Sequence, residues 1–365
     1  MINLAGKGFF IWKIAGCESG DANAIALAAD QAGCSHVLVK IADGTRSYNI
    51  DSQTGVDLLP AVVQALRARK IKILGWHYVY GFDPLGEANK AVQRVQQLRL
   101  DGYVIDAEAE YKQPGKSEAA RRFMTQLRTG LPGFPVALTS YRYPSYHPQF
   151  PWRAFLEKCD LNMPQVYWMQ NHNPGEQLTR CVNEFQALVP FRPIIPVGAA
   201  FCEDNWSPTT SDVKEFLQTA QRLNLRAANF WEWSNCRSRL PDIWREIADY
   251  DWPVHTTPDI CQQYISALNS HDPNKVVNLY YPSGVHVTAL RTVQGTPAIH
   301  NWYTNFFSQT LPDATFLLTS FSGTGSSRYL TWTALSNAGR VQNGSDTLGL
   351  INGKIAYHYT FFSVS

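Results

Sequence analysis

Between residues 8 and 250 the chain repeats one phrase eight times: a short β-branched or aromatic run, a polar turn, then an amphipathic stretch of helical period. This alternation constrains the fold more than any other feature. Strands separated by helices cannot be hairpin partners, so they must lie parallel and be joined by crossovers. The strand-like runs are Gly8 to Ile14, His36 to Ile41, Ile71 to Tyr78, Gly102 to Ala107, Val136 to Ser140, Asp160 to Val166, Pro193 to Val197 and Ala227 to Trp231. Helical stretches include Ala22 to Gln31, Leu58 to Arg69, Gly86 to Leu98, Ser117 to Thr129 with Ser117 as N-cap, Pro174 to Leu188, Ser211 to Leu223 and Asp242 to Asp249. No Gly-rich dinucleotide turn follows the first run, and eight units of this length fit a closed (β/α)8 barrel better than an open doubly wound sheet.

The phrase breaks at Asp251-Trp252-Pro253-Val254, and a Pro-bearing stretch follows. Three segments are therefore expected: a barrel over 1–251, a linker over 252–257 and a second domain over 258–365. The last opens with helix-like Asp259 to Leu268 and Asn274 to Tyr281. Strand-like Val285 to Leu290, helix-like Thr296 to Gln309 and several long strands from Thr315 through Phe362 come next. That order predicts a small α+β unit.

Composition removes several classes of function. The formal charge is +2 without a Lys/Arg block, which argues against a nucleic-acid partner. No apolar run reaches the length of a membrane span, and residues 1–7 lack the order of a signal peptide. Synthesis in the cytoplasm, with release by lysis or a non-classical route, is the expectation. Seven scattered cysteines include no CxxC pair and cannot all pair within one chain, so buried thiols are expected, with a bridge between Cys202 and Cys236 as the alternative. No HExxH, HxH or Cys/His grouping suggests a metal, and no cofactor motif occurs. His77 and His172 read as rim or core residues.

Chemistry concentrates at Asp101-Gly102-Tyr103-Val104-Ile105-Asp106-Ala107-Glu108, where a buried strand ends in carboxylates. Side chains alternate along a strand, so Asp106 and Glu108 point the same way with Cβ atoms roughly 6.5 to 7 Å apart. As strand four of a barrel, this segment would present both acids on the face where such folds carry their sites. The plain alternative is solvated or helix-capping acids. Glu110 shares their parity but is expected beyond the strand in a solvated loop. Glu232 is a competing acid that would pair with Glu108 across the cleft. Aromatics recur at strand ends, with Trp12, Tyr78, Tyr141, Trp168, Trp231 and Trp233 as candidate sugar-stacking residues.

The acid strand resembles the DGxDxDxE signature of family 18 glycoside hydrolases, the chitinase group. Three of the four acids match, and Val104 stands where the family has its inner Asp. The resemblance implies that Glu108 is the general acid and that Asp106 orients the substrate's N-acetyl group, which itself attacks the sugar. Asn162-Met163-Pro164-Gln165-Val166-Tyr167-Trp168 resembles the sixth strand of that family. It implies that Gln165 and Tyr167 flank the reacting group and that Trp231 or Trp233 closes the sugar subsite. His36 through Thr45 and Gly75-Trp76-His77-Tyr78 resemble family 25 lysozymes, although Trp12-Lys13-Ile14 replaces their first-strand acid. Tyr264 through Asp272, Gly295 through Tyr303 and Gly349 through His358 resemble the SnoaL-like branch of the nuclear transport factor 2-like superfamily. That resemblance implies a conical pocket lined by His271, Tyr281, His286, Arg291 and His358, or a pairing and assembly role.

Two functions follow as expectations. The first is a glycoside hydrolase cleaving β-linked N-acetylglucosamine polymers, peptidoglycan or chitin, with catalytic Glu108, Asp106 and Tyr167. Gln165, Trp231, Trp233, Glu232, Tyr78, Tyr141, Trp168 and Trp12 would bind the substrate. The second is an inactive glycan-binding or assembly protein on the same barrel. A third places isomerase- or hydratase-like chemistry in the C-terminal pocket.

Overall fold

The computed structural model describes residues 4–223, 225–252, 258–323 and 325–365, so the expected linker, apart from Trp252, lies outside the described residues. The chain forms two compact units, Met1–His255 and Thr256–Ser365.

In the first unit the strands are β1 Gly6–Ile11, β2 Cys34–Asp43, β3 Lys72–Val79, β4 Gly102–Ala107, β5 Val136–Tyr141, β6 Leu161–Val166, β7 Val197–Ala199 and β8 Ala227–Trp231. Each pairs in parallel with the next, and β1 pairs with both β2 and β8, which closes the barrel. The helices are α1 Ala22–Gln31, α2 Leu59–Ala68, α3 Pro84–Leu98, α4 Lys116–Gly130, α5 Trp152–Leu156, α6 Pro174–Gln186, α7 Thr210–Arg222, α8 Trp233–Arg239 and α9 Pro241–Asp249.

Strand alternation divides the core into two layers. Phe10, Leu38, Leu74, Trp76, Val104, Met163 and Val197 fill the barrel interior. Phe9, Val37, Val39, Tyr103, Ile105 and Phe230 face the helices. In β4, Tyr103, Ile105 and Ala107 point outward while Val104 and Asp106 point inward, which puts Asp106 at the mouth above a plug of apolar side chains.

Among the boundaries that differ from the sequence expectation, three concern the ends of β1, β7 and α4. The first strand ends at Ile11, and a tight turn at Ile14–Gly16 follows. The seventh strand starts at Val197 rather than Pro193, because Pro193 and Pro196 have no N–H to offer a ladder. Helix α4 starts after Gly115, whose φ of 80° makes the turn, so Ser117 lies within the helix and accepts a hydrogen bond from Arg121. All seven cysteines are free thiols, six of them buried.

The second unit has α10 Ile260–Asn269, α11 Pro273–Val277 and α12 Thr296–Asn305, with a π-helical turn at Phe306–Thr310. Its strands are β9 Tyr280–Val287, β10 Thr292–Gln294, β11 Thr315–Ser322, β12 Ser327–Ser336, β13 Gly339–Ile351 and β14 Lys354–Phe361. The sheet order is β10-β9-β14-β13-β12-β11, antiparallel except for the β9–β14 pair. Asn274 to Tyr281, expected as one helix, divides instead: α11 stops at Val277, and Tyr280 joins the sheet opposite Ile355. Sheet pairing overrides the helical pattern there. Ile260, Ile265, Leu268, Ile299 and Phe306 from the helices pack on Phe316, Leu330, Trp332, Leu348 and Ile355 of the sheet.

Candidate functional site

Inward parity on β4 continues past the strand end, so Asp106 and Glu108 share a side and a hydrogen bond. Asp106 is buried, and burial pushes its carboxyl well above the ordinary range, with the neighbouring charge of Glu108 adding to the shift. The shift favours the protonated form of Asp106, whose O–H is a donor. From β6, the Gln165 side-chain amide donates to Glu108 Oε1 at 2.9 Å and reaches Asp106 Oδ1 at 3.4 Å.

Three phenols surround this pair. Burial raises the Tyr167, Tyr78 and Tyr141 hydroxyls above the usual phenol range, Tyr141 to about 12, and the charges of Glu108 and Asp106 contribute to each shift. All three therefore remain hydrogen-bond donors at neutral pH. Tyr78 donates to Glu110 Oε2 at 2.8 Å, which draws Glu110 from the expected solvated loop into the carboxylate group. Glu110 sits on a short turn, Ala109–Lys112. On the other side of β4 from Tyr78, Tyr141 stacks on His147 with ring centres 3.7 Å apart and lies 4.3 Å from the Lys112 ammonium. Trp231, half-buried, meets Trp76 edge-on at 5.3 Å and lies 6.3 Å from the more exposed Trp12.

Three expected site residues lie elsewhere. Trp168 is fully buried between barrel and helices against Phe216, because it shares parity with the outward Val166. Trp233 begins α8 and is fully buried against Phe9 and Trp244. Burying about 200 Å² of indole is worth roughly 5 kcal/mol, which outweighs what a rim position provides. Glu232 is buried as the N-cap of α8, accepting from the Ser234 and Asn235 backbone and from the Ser234 hydroxyl, so its oxygens are committed to the helix start. A Glu108/Glu232 pair across the mouth is not formed.

Two further residues were not singled out from the sequence. Lys40 is buried within β2 and is ion-paired with Asp43 at the strand's end, at 2.6 Å; Asp43 also accepts from the Tyr80 hydroxyl at 2.7 Å. Burial works against ionisation of Asp43, but the hydrogen bonds from Lys40 and Tyr80 outweigh it and hold its carboxyl below the usual range. The available signal was a lone lysine of inward parity in the apolar run Val37–Ile41. His77 is a core residue, bonded to Tyr103 and to the Gly44 carbonyl, and His172 contacts Asp212. Among the described residues, no cluster of His, Cys, Asp or Glu suited to a metal ion occurs, and no helix is long and apolar enough to cross a membrane.

In the second unit, only two of the five expected pocket residues meet. His286 and His358 are buried and stack 4.3 Å apart with 6° between their planes. His358 bonds the Tyr280 hydroxyl, which continues to Tyr303 and then Tyr264 at 3.0 Å each. Tyr281 is half-buried, Arg291 is exposed, and His271 bonds the Ala314 carbonyl. Trp302 and Tyr303 pack against His286, so the unit's own rings occupy its middle.

Residues 261–358 match the family described as a SnoaL-like domain, and the second unit is SnoaL-like in fold. Similar solved structures include an NTF2-like protein of unknown function from Cytophaga hutchinsonii, 16% identical over 30% of this chain and 90% of its own, with a TM-score of 0.26. Another is a hypothetical protein with a ketosteroid isomerase-like fold from Catenulispora acidiphila, in complex with trimethylamine. It is 17% identical over 30% of this chain and 88% of its own, with a TM-score of 0.27. No curated protein matches the chain.

Proposed function

We propose that the barrel is a glycoside hydrolase acting on β-linked N-acetylglucosamine polymers, peptidoglycan or chitin. The observation that carries this reading is the Gln165 amide reaching both carboxyls of the Asp106–Glu108 pair at the C-terminal end of the barrel strands. Burial favours a proton on Asp106, within hydrogen-bond reach of Glu108. Transfer across that bond makes Glu108 the acid and leaves Asp106 as a carboxylate able to accept from the substrate's N-acetyl N–H. Glu108 then protonates the glycosidic oxygen as the C1–O bond breaks, and the N-acetyl carbonyl oxygen bonds to C1 in its place. Water, deprotonated by Glu108, attacks C1 and restores the acetamido group with retention. Tyr167, kept protonated, is a donor for the acetamido carbonyl oxygen as charge shifts during attack. Trp231 and Trp12 supply ring faces for sugar stacking. The C-terminal unit serves targeting or pairing, a reading supported by exposed Tyr329, Tyr357, Tyr359 and Phe361 on its sheet.

Release of reducing ends from purified peptidoglycan or chitin, lost in Glu108→Gln, is the expected result. Undiminished release in that variant removes Glu108 from the mechanism. One observation favours a second reading, a barrel that binds glycan without cleaving it: Val104, fully buried in the barrel interior, leaves the inner acid position apolar. Saturable binding with no bond cleavage in long incubations would select it.

A further inference from the structure

Two rows of side chains cross the barrel beneath and beside the acid pair. In strand register Lys40 lies opposite Trp76, and Trp76 opposite Val104. One step higher, Asp43 lies opposite Tyr78, and Tyr78 opposite Asp106. The β2 register shifts between Lys40 and Ala42. That irregularity allows Asp43, three residues on, to return to the side of Lys40, as the 2.6 Å ion pair requires. The ammonium is enclosed by rings, with its nitrogen 4.3 Å from the centre of Tyr48, 4.9 Å from Trp76 and 5.9 Å from Trp12. An ammonium so enclosed and ion-paired with Asp43 acts where little water screens its charge.

We infer that Lys40 is a positioning residue that favours a negative charge on the Asp106–Glu108 pair, doing from two strands away what the apolar Val104 cannot. A buried carboxyl beside a second one favours its protonated form unless a cation offsets the burial and the neighbouring charge. Lys40 opposes that outcome, and it lowers the cost of charge on Asp106. Asp43 sets how much of the lysine's charge the pair experiences. The other groups facing the pair are Glu110, which adds negative charge, and the neutral phenols Tyr78, Tyr141 and Tyr167. The role of Lys40 in catalysis rests on the hydrolase reading; its electrostatic effect does not.

The test follows the carboxyl titrations of the full chain by carbon-13 NMR, without substrate, with the two signals assigned from Asp106→Asn and Glu108→Gln. In Lys40→Met the lower titration of the pair is expected to rise by about one pH unit, whereas Lys40→Arg holds it near the native position. Asp43→Asn is expected to move it in the opposite direction, since a negative charge is removed and the ammonium is unmasked. An unshifted titration in folded Lys40→Met, or an upward shift in Asp43→Asn, overturns the inference. If Lys40→Met does not fold, Asp43→Asn decides: a downward shift supports the inference, and anything else overturns it. Opposite shifts in a protein that releases no reducing ends uphold the role of Lys40 and defeat only the hydrolase reading.

Discussion

The side-chain amide of Gln165 donates to Glu108 at 2.9 Å, joining the sixth barrel strand to the acid that extends from the fourth. This contact holds the Glu108 carboxyl, which also shares a hydrogen bond with Asp106. Replacing Gln165 by Leu retains much of its volume but leaves Glu108 without that donor. Hydrolysis of a soluble N-acetylglucosamine oligomer is expected to fall roughly 100-fold, the usual cost of removing one oriented donor. A rate within a factor of two of the native protein would show that Gln165 is only packing.

Glu232 offers the complementary case. Its oxygens satisfy the first N–H groups of α8, so Glu232→Ala should lower unfolding stability by about 1 kcal/mol and leave turnover intact in the folded protein. Denaturant melts and rates measured on the same preparation would separate the two effects. Abolished turnover with unchanged stability would restore Glu232 as a reacting acid.

Trp12 is 42% exposed just beyond β1, where Trp231 provides a second ring 6.3 Å away. Trp12→Ala is expected to weaken binding of a chitin oligomer about tenfold while changing stability by less than about 0.5 kcal/mol. Calorimetric titration beside a thermal melt checks both numbers. Unchanged affinity would place the sugar path on the other side of the mouth.

The stacked histidines of the C-terminal unit predict acid sensitivity. Burial pushes His286 down to about 2, and the charges of His358 and Arg291 act in the same direction. An unfolded histidine titrates near 6.5, so the folded state binds fewer protons below that value. The stability present above about pH 6.5 is therefore lost as pH falls toward 2, by about 2 kcal/mol between pH 7 and pH 5 for this residue. In the barrel, His36 and His77, each held near 4 chiefly by burial, lose stability over the same range down to their own values. Urea melts at the two pH values should show a smaller loss for His286→Phe than for the native chain. Equal losses would mean that His286 gains its proton without opening the fold.

Legibility at the site followed strand parity. Val166 and Trp168 share the outward parity of β6, whereas Gln165 and Tyr167 do not, so the burial of Trp168 was readable from register alone. Trp233 was not readable in this way. Parity from Trp231 points it inward, but the chain turns into α8 immediately after Glu232 and carries the indole to the outer core. Glu110 was misplaced for the converse reason, since a short turn brings it back to Tyr78.

The sequence by itself determined the parallel barrel, the α+β unit after it, and the placement of Asp106 and Glu108 on one face at the mouth. These are consequences of local period, 2.0 in strands and 3.6 in helices, and of strand order. Only the tertiary structure decided which acids and rings converge. Lys40 meets Asp43 through a local register shift, Gln165 reaches Glu108 from two strands away, and Glu232 turns to its own helix. Such contacts depend on closure of the barrel and on turns past the strand ends, where side-chain direction no longer follows a period.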